Sequence, residues 1–92
     1  MSYLSFQEVA DRPGQINNVF YSSYNMIENF YNYRDLVFVN RRLTKTRFNK
    51  TLIMFCGINN HGRNIIFASC FLHIEDEDSY RFMLENFDKA LG

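Results

Sequence analysis

Two apolar runs dominate the chain: Thr51 to Ile58 (TLIMFCGI) and Ile65 to Ile74 (IIFASCFLHI), joined through Asn59-Asn60-His61-Gly62. Neither run approaches the roughly 18 apolar residues that a membrane-spanning helix needs. Asn and Gly accept positive φ at little cost, so the linking residues predict a tight hairpin turn. Runs that are continuous in apolar residues, rather than alternating, predict strands covered on both faces and therefore a layered α/β domain. A turn with Ile58 facing Arg63 would set Cys56 opposite Ile65 and Cys70 opposite Thr51. The two thiols are then not cross-strand partners, and no disulfide is expected between them.

Other elements follow from the same kind of reading. Residues 16–21 (INNVFY) are short and β-prone, predicting a brief strand. Ser22 and Ser23 can cap a helix running to about Tyr33, with Met26, Ile27, Phe30 and Tyr31 on its inner face. From Asp35, which marks a loop, the pattern turns to a strand over Leu36 to about Asn40. The last segment is the clearest helix: Tyr80, Met83, Leu84, Phe87 and Leu91 follow the spacing of one buried face. Glu75, Asp76, Glu77 and Asp78 stand at its start, where the helix dipole favours negative charge and where Asp76 or Asp78 can cap it. Residues 1–14 form a mixed N-terminal segment ending in the turn signal Arg12-Pro13-Gly14, which leaves 15–92 as the domain. The expected order is a short strand, a helix, a three-stranded sheet with a hairpin, and a C-terminal helix.

Ninety-two residues make one domain or part of one, and a hydrophobic content of 47% excludes a disordered chain. The formal net charge is zero, so no overall field draws the chain to nucleic acid or membrane. Half of the cations nevertheless fall in one stretch, as Arg41, Arg42, Lys45, Arg47 and Lys50. Solvated loop surface is the ordinary reading of such a cluster, and weak contact with DNA phosphates is the alternative. Cys56, Cys70, His61 and His73 lack metal-ligand spacing, so no metal site is expected of them. Buried free thiols suit a reducing compartment. The N-terminus carries no secretory pattern, and an intracellular protein is expected.

Several phrases in this order resemble the Mutator-like element (MULE) transposase domain, which is shared with the far-red-impaired-response family of plant nuclear factors. Ile16-Asn17-Asn18-Val19-Phe20-Tyr21 is similar to that family's opening L-x-N-V-F-W phrase. Asp35-Leu36-Val37-Phe38-Val39-Asn40 takes the place of its G-D-V-V-x-F-D strand. Leu52, Phe55, Gly57, Asn59, His61 and Gly62 match its L-x-x-F-x-G-x-N-x-H-G hairpin. Glu75, Glu77, Ser79 and Phe87 occupy comparable places in its acidic helix. The likeness runs from about Gln15 to Leu91, and it implies the N-terminal part of a ribonuclease H-like fold.

It also implies a chemistry that these residues depart from. Such transposases resemble other DDE nucleases, in which carboxylates hold two Mg2+ ions that activate water or a terminal hydroxyl. The first carboxylate belongs where this chain has Asn40. A neutral amide offsets none of the ion's charge, and Mg2+ strongly prefers anionic oxygen. The remaining acidic residues would follow Gly92. The resemblance therefore implies a truncated, transposase-derived domain with no catalytic residues, no bound Mg2+ and no independent activity. It further implies a nuclear setting and the remainder of a longer transposase as partner. The strand over 36–40 would present an apolar edge that invites self-association. A domesticated DNA- or protein-binding module is the alternative function.

Overall fold

A computed structural model describes residues 2–9, 11–43 and 50–92. The chain runs β1 (Tyr3–Val9), β2 (Arg12–Ser22), α1 (Tyr24–Tyr33), β3 (Phe38–Leu43), β4 (Thr51–Ile58), β5 (Asn64–Leu72) and α2 (Glu77–Leu91). All five strands join one sheet in the order β1-β2-β5-β4-β3, and every neighbouring pair is antiparallel. The sheet is thus larger than the three strands expected. The brief strand at 16–21 is the C-terminal half of β2, which joins the same sheet, and residues 3–9 add a further strand to it. Pro13 and Gly14 lie within β2, where the register jumps from Val9↔Arg12 to Glu8↔Ile16. Gly14 takes a φ of +87°, which glycine adopts without steric cost. Proline is tolerated there because a bulged edge asks no ladder hydrogen bond of it.

The β4–β5 hairpin forms as the sequence predicts, but in a different register. Asn59 Oδ1 accepts from the backbone N–H of His61 (2.9 Å) and of Arg63 (3.0 Å), and Gly62 closes the turn at φ +75°. Ile58 pairs with Asn64 rather than Arg63, and Cys56 with Ile66 rather than Ile65. A bulge beyond Cys56 then displaces the ladder again, so that Thr51 faces Leu72 and Cys70 faces Ile53. The turn is one residue longer than assumed, and the bulge adds one more. Both cysteines are free and buried.

Both helices lie on one face of the sheet. Phe30 of α1 meets Phe67 edge-on at 5.3 Å and Phe87 of α2 at 5.7 Å, while Phe87 also stacks on Phe55 at 4.4 Å. Phe20, Ile53, Phe67, Cys70 and Leu72 of the sheet are buried against Phe82, Met83 and Leu91 of α2. The helix caps are those anticipated: Ser23 accepts from Met26 N–H, and Asp76 from Ser79 N–H. The buried faces are rotated from expectation, however. Tyr31 and Leu84 are exposed, whereas Ser79, Phe82 and Asn86 turn inward. Asn86 is satisfied there by Tyr3 Oη–H at 2.6 Å and by its own bond to the Phe82 carbonyl.

The opposite face of the sheet corrects the expectation of strands covered on both sides. Leu4, Phe6, Tyr21, Ile66 and Phe71 are exposed on it, and none of the described residues covers them. Continuous apolar runs therefore reflect a core face under the helices and an apolar face left open.

Candidate functional site

β3 carries the candidate residues, and its register with β4 decides where each one faces. Arg41 is opposite Ile53, whose side chain is buried beneath the helices, so Val39, Arg41 and Leu43 stand on the helix side. Phe38, Asn40 and Arg42 then stand on the open side. The basic residues that sequence reading placed in a loop begin inside this strand. Arg41 and Arg42 consequently project to opposite faces of the sheet. Lys50 lies immediately before β4 and is half-buried. Lys45 and Arg47 lie outside the described residues.

Arg41 is paired within the chain. Its guanidinium forms a two-pronged ion pair with Glu75, at the entry to α2. Tyr80 donates its hydroxyl to the same carboxylate at 2.7 Å. The hydrogen bonds from Arg41 and then Tyr80 hold the Glu75 carboxyl down at about 2, well below the ordinary glutamate value. The tyrosine, bound to that carboxylate, resists ionisation and has its pKa raised. Nothing local in the sequence announces this trio, because Arg41 and Glu75 are 34 positions apart. Its effect is to fasten the sheet edge to the start of α2.

Asn40 occupies a different environment. It is exposed, and across the sheet it heads a row of Met54, Ser69, Tyr21 and Leu4. That row contains no carboxylate. Arg42 shares its face two residues along the strand, about 7 Å away by strand geometry. A divalent cation at Asn40 would meet a neutral amide, a thioether and a guanidinium, so these residues do not fit a Mg2+ site. Among the described residues, no group of three or more His, Cys, Asp or Glu side chains is placed to hold a metal. His61 lies in the hairpin turn, where its backbone N–H donates to Asn59 Oδ1, and the His73 backbone N–H donates to Asn18 Oδ1 at 3.1 Å.

Asn18 is a further residue that sequence reading did not single out. It is fully buried, and its amide donates to Gln7 Oε1 and to Ser79 Oγ while its oxygen accepts from His73 N–H. One side chain so ties β1, β2, the end of β5 and the first turn of α2. All three partners bond to this one side chain, which makes it a structural hub. No described helix is long and apolar enough to cross a membrane.

No protein-family model matches the chain, and no solved structure matches it significantly. Among curated proteins it is similar to Protein FAR1-RELATED SEQUENCE 6 of Arabidopsis thaliana, with 29% identity over 73 residues. The match takes in 78% of this chain and 10% of that protein, so the chain spans about a tenth of its relative's length. At family level, this likeness points the same way as the phrases read along the sequence.

Proposed function

We propose that the chain is a transposase-derived domain, related to the Mutator-like elements, that forms the front part of a ribonuclease H-like unit and has no strand-cutting chemistry. The likeness to a FAR1-related protein supports the descent. The antiparallel β3-β4-β5 meander followed by α2 is compatible with the fold. The observation that carries the loss of chemistry is the setting of Asn40, an exposed amide on β3 with Arg42 on the same face and Met54 opposite. Such a domain serves as a scaffold for binding, in the nucleus, rather than as a nuclease. Between the two arginines of β3, any phosphate contact would fall to Arg42, since Arg41 is paired with Glu75.

The test is incubation of the purified chain with duplex DNA and Mg2+ or Mn2+. The expected result is no metal-dependent cleavage, in the wild type and in Asn40→Ala alike. Cleavage that requires the metal and disappears in Asn40→Ala would overturn the reading.

A further inference from the structure

We propose that β3 is a homodimerisation edge, on which a second copy of this chain pairs antiparallel about a two-fold axis at Arg41. This inference goes beyond the proposed function and does not depend on it. The sheet has two outer strands, and they differ as templates. β1 is broken by register shifts at Gln7/Glu8 and Glu8/Val9, the sort of irregularity that spoils an edge for pairing. β3 runs in unbroken register against β4 from Phe38 to Leu43, with no glycine or proline, and among the described residues it is bonded on one side only. Its outer row of backbone groups is a regular ladder that no described strand pairs with.

The side chains favour a second copy and select one register. Two antiparallel edges related by an axis perpendicular to the sheet keep their faces, so residues opposite one another must come from the same side. An axis at Arg41 sets Val39 against Leu43 of the partner subunit, and does so twice. These residues are 57% and 61% exposed in the single chain, and pairing would bring them together on the helix side. It also sets Asn40 against Arg42, again twice. An axis at Asn40 would instead put Val39 against Arg41 and Phe38 against Arg42.

The centre of the favoured register holds two arginines, which would repel if bare. Each is already neutralised within its own subunit by Glu75, and the carboxylate is in turn held by Tyr80. The Arg41–Glu75 pair thus acquires a role: it makes the middle of β3 tolerable to its own copy. The product is a continuous sheet through both subunits, with the helices on one side.

The test is sedimentation equilibrium of the 92-residue chain beside two charge variants. The wild type is expected to be a dimer. Val39→Lys/Leu43→Lys sets two like-charged pairs across the axis and is expected to weaken the dimer by about tenfold or more. Val39→Glu/Leu43→Lys sets opposite charges in the same places and is expected to restore it. All these positions are exposed, and circular dichroism confirms that each variant is folded. Register is checked by mixing Val39→Cys with Leu43→Cys chains under oxidation, which should yield the mixed disulfide in preference to either homodimer. A monomeric wild type, or equal weakening by both charge variants, overturns the proposal. So does association that ignores these positions but is lost on Phe6→Lys or Phe71→Lys, which would place the contact on the open sheet face.

Discussion

Gly57→Ala is a demanding test of how the β4–β5 hairpin meets the helices. Gly57 does not need positive φ, so its requirement is one of space. A Cβ at this position would overlap Cζ and Cε2 of Phe67 and approach the Leu36 carbonyl oxygen to 3.0 Å. Phe67 has no exposed surface and is held edge-on by Phe30 at 5.3 Å, so the ring cannot swing away cheaply. Overpacking of this kind costs roughly 1–3 kcal/mol. Replacing glycine in a strand returns about 0.5–1 kcal/mol of backbone entropy. The net expected loss is about 1 kcal/mol, which for a chain of this size lowers Tm by roughly 4–8 °C. A typical stability of about 5–14 kcal/mol for such a length leaves the variant folded at room temperature. Phe67→Leu removes the clashing atoms, so the double variant should lose at least ~1 kcal/mol less than the sum of the single losses. Urea unfolding followed by circular dichroism measures all four proteins. Stability of Gly57→Ala within about 0.5 kcal/mol of wild type, or strict additivity with Phe67→Leu, would refute the packing argument.

Other expectations follow from the hydrogen-bonded groups and the thiols. Asn18→Ala strands Ser79, Gln7 and the His73 N–H around a buried gap and should cost about 2–4 kcal/mol in urea unfolding, since each unmet buried group costs roughly 1–3 kcal/mol. Glu75 has its folded pKa depressed to about 2 from an ordinary 4.5, so its contribution is present above the unfolded value and is lost as pH falls from about 4.5 through about 2. The stability difference between wild type and Glu75→Gln should therefore shrink across that window and stay level above it. A difference that grows on acidification would contradict the ion pair. Burial pushes the Cys70 thiol up to about 12 and raises that of Cys56, so thiol reagents at pH 8 should react only as fast as the chain unfolds. Rapid labelling of Cys70 under native conditions would refute its burial.

The sequence was most legible where local chemistry and burial agreed. The β4 span, both helix caps and the turn residues Asn59 and Gly62 follow from side chains acting on nearby backbone. β1 was missed because its inward residues include Ser5 and Gln7 while Leu4 and Phe6 face outward. That inversion makes sense only once Asn18 and Asn86 are seen to place polar partners beneath α2. The hairpin register depended on a turn one residue longer than expected and on a bulge near Phe67, which no local residue preference marks. β3 extends into the basic stretch because pairing with β4 outweighs the poor strand preference of its charged residues. Asn40 could be picked out by resemblance alone. Its neutral amide argued against a cation from the start, and Met54 and Arg42 around it strengthen that argument. The Arg41–Glu75 pair, made across 34 positions, left no trace in the local pattern.

Asn40 is proposed to stand at a place that does not hold the divalent ions of a strand-cutting enzyme. An amide-resolved NMR titration with Mn2+ tests it directly, because a bound paramagnetic ion broadens the signals nearest to it. No saturable broadening centred on Phe38 to Arg42 is expected, up to millimolar ion. Saturable broadening focused on Asn40 and Met54 would contradict it.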